Sequence, residues 1–317
     1  MSAREGVRLA LTVGDPAGIG PEVIAAALRE LPPGVSHVRV YGDLRAVERA
    51  GGLPRGVEVA SFASADVKPG SPDPEASHGV VQSIQAAARD CLRGDVDAMV
   101  TGPIAKEQMG RAGYTFPGHT ELLAELCGRE SAVMLLCGRG LRVVPATIHC
   151  ALREVPQRIS TEAIVGILDV LHAELAARFG LSRTRIAVCG LNPHAGEAGR
   201  FGDEEQRVIA PAVEQARARG IDAHGPLSAD SIFSRTLAGE FDVVVGMYHD
   251  QVLGPLKLHA FGRAVNVTLG LPLVRTSVDH GTAFDIAGSG RADPGSMQEA
   301  VRLAVEIVQN ERHRSAT

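Results

Sequence analysis

Apolar runs of strand length alternate with stretches of helical periodicity from one end of the chain to the other, a pattern that predicts a largely parallel α/β sheet with crossover helices. Residues 8–13, 37–41, 97–101, 132–137, 142–148, 185–190, 242–247 and 264–269 read as strands. Helices are expected over 20–30, 78–93, 119–127, 160–179, 203–219 and 294–311. Ser160 is a natural N-cap for the fourth of these, and Pro294 suits the first turn of the last. No repeat of fixed period and no low-complexity segment interrupts the alternation, and the Pro-, Ser- and Gly-rich stretch from Lys68 to Pro74 reads as a surface loop.

With 317 residues the chain is long enough for two lobes. The net charge of −5 is spread without long runs of one sign, which argues against a nucleic-acid or anionic-membrane surface. The five cysteines, Cys91, Cys127, Cys137, Cys150 and Cys189, form no CxxC pair and fit reduced thiols better than a disulfide framework. Met1–Glu5 leads into a strand without a long apolar signal region, and no stretch reaches the ~20 apolar residues of a membrane span. A soluble, cytoplasmic protein is expected. Lysine occurs only at 68, 106 and 257, which draws attention to Lys257, close after His249.

Candidate chemistry begins with three histidines, His149, His194 and His249, each just past an apolar, β-prone run. In an open α/β sheet ligands gather outside the carboxyl ends of the strands, and imidazoles converging there suit a divalent metal. A glycine-rich turn, Gly14 to Glu22, joins the first strand to a helix and offers amides to an anion, with tight packing of the turn as the alternative. Thr101 to Lys106 forms a second turn of this kind, and the dinucleotide fingerprint GxGxxG is absent. His119 and Thr120 open a helix, where a charged imidazole is disfavoured unless an anion is bound. Phosphate or carboxylate is therefore the expected ligand there. Between Tyr248 and Gly290 the chain carries Asp250, Lys257, Asn266, Arg275 and His280, and the arginine fork with the lysine point charge again suits phosphate.

The segments GDPAGIGPE (14–22), GHTELLA (118–124), LNPHAGE (191–197), YHDQ (248–251), FGRAVNVTLGLP (261–272) and RTSVDHGTAFDIAG (275–288) together resemble the 4-hydroxythreonine-4-phosphate dehydrogenase family of pyridoxal phosphate biosynthesis. The resemblance runs through nearly the whole chain. It implies a two-lobed isocitrate/isopropylmalate dehydrogenase-like α/β fold with an interlobe active-site cleft. The lobes are expected at 1–130 plus 280–317 and at 131–279. It also implies a homodimer with one divalent metal (zinc, magnesium or cobalt) per subunit, on His149, His194 and His249, the first donated by the neighbouring subunit. Substrate contacts carry over to His119, Thr120, Lys257, Asn266 and Arg275, with Asp230 as an acidic neighbour of the metal. The stretch from His280 to Gly288 is similar to the loop that embraces the adenosine end of the cofactor in isopropylmalate and isocitrate dehydrogenases. His280, Gly281 and Asp285 are thus assigned to the cofactor, with Asp285 favouring NAD over NADP through repulsion of a 2′-phosphate.

The activity implied is oxidative decarboxylation of 4-phosphooxy-L-threonine, with Lys257 or Asp250 accepting the hydroxyl proton and the metal assisting both oxidation and loss of carbon dioxide. Related phosphorylated four-carbon acids, 4-phosphothreonate and 4-phosphoerythronate, are alternative substrates. The rivals from other classes are a metal-dependent hydrolase, a phosphotransacetylase-like acyltransferase and a ligand-binding regulator.

Overall fold

A computed structural model describes residues 6–116, 118–129 and 132–316. The leading Met1–Glu5 segment and Pro117, before the GHTELLA motif, lie outside the described residues. The chain forms two compact units, one taking the chain up to Ala132 and again from Val265, the other taking Val133–Ala264.

The first unit begins with β1 (Val7–Thr12), α1 (Gly20–Ala27), β2 (Val35–Gly42), α2 (Leu44–Arg49), β3 (Glu58–Ser61), α3 (Ala76–Arg93), β4 (Ala98–Thr101), α4 (Lys106–Arg111) and α5 (His119–Leu126). The second unit contains β5 (Val133–Gly138), β6 (Leu141–Pro145), α6 (Val155–Arg158), α7 (Thr161–Arg178), β7 (Ile186–Cys189), α8 (Ala210–Ala218), β8 (Ala223–Leu227), α9 (Ala229–Leu237), β9 (Val243–Gly246) and α10 (His249–Ala260). Back in the first unit, the chain adds β10 (Val265–Leu269), β11 (Val274–Val278) and α11 (Gly295–Ala316).

Strands of the first unit lie in the order β3-β2-β1-β4-β11-β10, parallel except for the β10–β11 hairpin. In the second unit the order is β5-β6-β9-β7-β8, with β5 antiparallel and the rest parallel. The central strands β4, β7 and β9 are buried along their whole length, as expected of parallel strands covered by helices on both faces. Side chains such as Ile84, Met99 and Leu123 fill the core of the first unit, and Val143, Val244 and Leu256 that of the second. The Ser160 side chain accepts the Ala163 amide at 3.1 Å, the cap expected for α7.

Residues 265–279, expected in the second lobe, belong to the first unit. The cause is non-local: β11 lies parallel to β4, with Val274 opposite Ala98 and Ser277 opposite Thr101, and holds β10 in its hairpin. Strands β3, β8 and β11 and helices α2, α4, α6, α9 and α10 were not expected from the hydrophobic pattern. Among the described residues no helix is long and apolar enough to cross a membrane, and the five cysteines form no disulfide.

Candidate active site

In the second unit β6, β9 and β7 are adjacent and parallel, with Val144 opposite Val245 and Val188 opposite Val245 from the other side. The chain therefore leaves all three at the same edge, and each exit carries one of the three histidines. His249 opens α10, while His149 and His194 stand in the loops after β6 and β7. Two side chains tie these exits together. Thr147 donates through its Oγ1 to the Met247 carbonyl at 2.8 Å, joining the His149 loop to the His249 loop. Gln251 accepts the Met247 amide at 2.6 Å and donates to the Gly190 carbonyl at 2.8 Å, joining β9 to the exit of β7. Sequence reasoning assigned no role to either; Gln251 stood only as part of the YHDQ motif.

The rings of His149 and His249 lie 5.8 Å apart between centroids at an interplanar angle of 42°, close enough for both imidazoles to reach one ion through bonds of ~2 Å. The Asp250 carboxylate sits 2.7 Å from Nδ1 of His249, which orients the ring and leaves Nε2 as its ligand atom. His194 is 66% exposed, with Nδ1 3.9 Å from the Glu197 carboxylate. Among the described residues no group of three or more histidines, cysteines or carboxylates stands together as a metal site. One chain thus pairs His149 with His249 and leaves His194 outside the pair. Lys257 is exposed on α10, and Asp230 is exposed in the first turn of α9.

The other four substrate candidates all belong to the first unit. Gly118 precedes α5 in extended backbone, so that His119 and Thr120 occupy its first two positions. Arg275, 2% exposed on β11, donates from Nε and Nη2 to the Thr101 hydroxyl at 3.1 and 2.7 Å, and from Nη1 to the Thr268 hydroxyl at 3.0 Å. Hairpin register accounts for part of this arrangement: Thr268 is directly opposite Arg275, and Asn266 lies two residues back on the same face of β10. Nε2 of His119 and Oδ1 of Asn266 are buried and have no hydrogen-bond partner in the chain.

Burial pulls the Arg275 guanidinium down to about 9, against the opposing pull of Glu121, so it stays charged at neutral pH. His119 is held well below its usual range by burial first, and then by the charges of Arg275 and Lys106. Among the described residues no carboxylate forms an ion pair with Arg275. A buried cation answered only by hydroxyls, beside the ring of His119 and a helix start, is a cradle suited to an anion. Lys106, which was noted only as the end of a turn, contributes to the positive field acting on His119.

The glycine-rich turn after β1 takes the alternative reading, tight packing. The amides of Asp15, Ala17, Gly18 and Ile19 donate respectively to the Pro103 carbonyl, the Asp15 carboxylate, the Asp15 carbonyl and the Thr282 carbonyl, all within 3.1 Å. A Cβ on Gly20 or Gly102 would lie 2.1 or 2.4 Å from the Val13 carbonyl oxygen, so both turns close on the end of β1. The loop expected to hold cofactor docks on the same turn. Glu22 accepts the amides of Gly288 and Gly290 at 3.0 and 2.9 Å, leaving Gly281 and Asp285 exposed. His280 donates Nδ1 to the Gly281 carbonyl at 3.0 Å, and its Nε2 is buried without a partner. An open pocket of about 250 Å³, lined by Gly18, Glu22, Arg49, Pro69 and Gly288 among others, lies beside this loop.

This two-unit α/β fold, with a histidine edge in one unit and an anion cradle in the other, is one that dehydrogenases share. An isocitrate dehydrogenase structure from Methylococcus capsulatus matches at a TM-score of 0.52 and 17% identity, over 96% of this chain and 87% of that one, a likeness of fold. The family model for pyridoxal phosphate biosynthetic protein PdxA matches residues 21–304, and the chain belongs to that family. A 4-hydroxythreonine-4-phosphate dehydrogenase from Geobacter metallireducens is 49% identical over 323 residues, covering 95% of each chain. The 4-hydroxythreonine-4-phosphate dehydrogenase structure from Klebsiella pneumoniae superposes with a TM-score of 0.86 at 39% identity, over 98% of this chain and all of that one.

Proposed function

We infer that the chain is a 4-hydroxythreonine-4-phosphate dehydrogenase, an oxidoreductase of pyridoxal phosphate biosynthesis that converts 4-phosphooxy-L-threonine to 3-amino-2-oxopropyl phosphate with NAD as oxidant. The observation that carries this reading is the buried charge of Arg275, held by hydroxyls alone beside the unpartnered atoms of His119 and Asn266. A substrate phosphate would accept from Arg275, while Oδ1 of Asn266 would take a hydrogen bond from a donor on the substrate. Arg275 offers the phosphate a fork of donors, Asn266 and Thr120 further hydrogen bonds, and His119 a neutral imidazole; Lys257 brings a second cation from α10. Anchoring the phosphate orients the C3 hydrogen for hydride transfer, an effect that contributes on the order of several kcal/mol.

His149, His194 and His249 are the residues that would hold a divalent ion, whether zinc, magnesium or cobalt, and the adjacent rings of His149 and His249 fit that donor set. When bound there, the ion supplies Lewis-acid polarisation of the C3 oxygen. Lys257 or Asp250 takes the hydroxyl proton, directly or through water. NAD, when bound, would supply the acceptor for the C3 hydride; the β-keto acid so formed would lose carbon dioxide and be reprotonated. The loop from His280 through Asp285 receives the adenosine end of the cofactor, where the exposed Asp285 carboxylate disfavours a 2′-phosphate.

The active unit in this reading is a cytoplasmic homodimer. The closeness of the His149 and His249 rings within one chain supports His194 as the ligand that crosses between subunits, an assignment that competes with the donated His149 expected above. The test is NADH formation by metal-loaded protein offered 4-phosphooxy-L-threonine, 4-phosphothreonate and 4-phosphoerythronate in parallel. The inference requires the first to be the preferred substrate. Preference for either of the others moves the chain to a different substrate, and no NADH with any of them refutes the dehydrogenase.

A further inference from the structure

Beyond β7 the backbone does something rare. His194, Ala195, Gly196, Glu197 and Ala198 all have positive φ, at 52°, 52°, 78°, 44° and 57°, forming a left-handed turn. Each residue with a Cβ in that conformation costs roughly 1–2 kcal/mol, and only Gly196 escapes. Such a run persists only where its surroundings impose it.

A buried carboxylate packs against it. Glu205 is 3% exposed and opens a single π-helical turn, Glu205–Ile209, that runs into α8; π-turns inside helices are frequent at functional sites. Its Oε1 accepts the Asn192 amide at 2.7 Å and its Oε2 the Asn192 side-chain amide at 3.1 Å, while Glu204 holds that same Nδ2 at 2.7 Å. On the other side the carboxylate abuts the turn itself: a Cβ on Gly196 would lie 2.5 Å from Oε2, and one on Gly190 3.0 Å from Oε1. Glu205 thus fills the hollow between the entry to the turn and its middle. His194 is the first left-handed residue between those two contacts. Among the described residues no cation pairs with Glu205, although a buried carboxylate without one is costly. Holding the turn in place is what its position accomplishes.

We propose that Glu205 is the positioning residue for His194, fixing the left-handed turn that presents this imidazole to a divalent cation; this rests on the reading of His194 as a metal ligand. The full-length protein, stripped of metal, is titrated with Co²⁺ alone and followed by its visible absorption, with folding checked by circular dichroism. Glu205→Ala weakens Co²⁺ binding about 10–100-fold, the range typical when a group supporting a metal ligand is lost. Glu205→Gln keeps a carbonyl acceptor for the Asn192 amide and recovers part of that loss. Gly196→Ala leaves every charge in place but drives a methyl group into the carboxylate, and it weakens binding likewise; it carries the test should Glu205→Ala not fold. His194→Ala sets the full loss. Wild-type Co²⁺ affinity in folded Glu205→Ala, or in Gly196→Ala if the former does not fold, overturns the inference when His194→Ala is defective. Wild-type affinity in His194→Ala instead removes the metal reading of that residue, and the positioning role falls with it.

Discussion

Arg275 and Nε2 of His119 are buried in the first unit, whereas His149 and His194, in the second unit, are exposed and gathered only in part. The cradle is finished by the fold itself. Its threonines, hairpin register and helix start position Arg275, Asn266 and His119, and the cost of burying a guanidinium is already present in the folded chain. The histidine edge is finished by something else. Three parallel strands deliver the imidazoles to one place, Thr147 and Gln251 tie the exits together, yet one chain brings only two rings into company. In the proposed reading, the site organised in advance would govern how tightly substrate is held, and the one that an ion and a second chain would complete would govern turnover.

The largest effect that would break this contrast is on the histidine side. Chelation, or His249→Ala, should lower kcat by about three orders of magnitude, corresponding to the several kcal/mol of polarisation an ion supplies. A full-rate enzyme without metal would make the edge structural. Subunit mixing sharpens the same point. If His194 crosses to a site whose other two ligands come from one chain, inactive His249→Ala and inactive His194→Ala subunits should regain activity on exchange, because the second chain keeps a sound pair and the first a sound His194. His149→Ala mixed with His249→Ala should stay inactive, since each chain's pair is broken. The reverse pattern would return His149 to the role of the crossing ligand.

Next in size is the cradle. Arg275→Ala and Lys257→Ala should each raise the substrate KM about 10–100-fold, the range of ~1.5–3 kcal/mol for a charge-assisted hydrogen bond, with little change in NAD affinity. Equal losses for substrate and cofactor would mean that these residues organise the protein rather than grip phosphate.

The smallest effect concerns pH. Because burial and the neighbouring cations hold His119 well below its usual pKa, the unfolded chain binds a proton there as pH falls through about 6.5 while the folded one does not. His119 therefore leaves stability undiminished above that pH and lowers it progressively below, down to its folded-state pKa. Chemical denaturation from pH 7.5 to 5 should show this decline, and His119→Gln should remove its share; an unchanged slope would mean that the ring protonates freely in the folded protein.

Much of this was readable in the residues, and what was not has physical causes. The eight apolar runs each correspond to a strand, and in β4, β7 and β9 the run is continuous because burial on both faces demands it. β11 escaped because Val274-Arg275-Thr276-Ser277-Val278 is buried throughout yet polar at its centre, and polar residues hide a strand from the hydrophobic pattern. β8 contains Gly225 and Pro226, which argue against a strand in any sequence reading. α10 contains Pro255, a residue that costs ~3 kcal/mol in a helix interior, and its loss from the prediction turned His249 and Lys257 into loop residues. The lobe boundary was misplaced because β11 meets β4 across a long stretch of sequence. Nothing in Ala195, Glu197 or Ala198 announces a left-handed turn, since none of these residue types favours it.

The central claim is that one catalytic cycle couples oxidation at C3 to loss of the neighbouring carboxylate, on a substrate anchored by its phosphate. Its most direct test is to measure NADH and carbon dioxide together from 4-phosphooxy-L-threonine and metal-loaded protein. The account predicts equal amounts of the two, with 3-amino-2-oxopropyl phosphate as the remaining product. NADH without carbon dioxide, or release of inorganic phosphate without NADH, would contradict it.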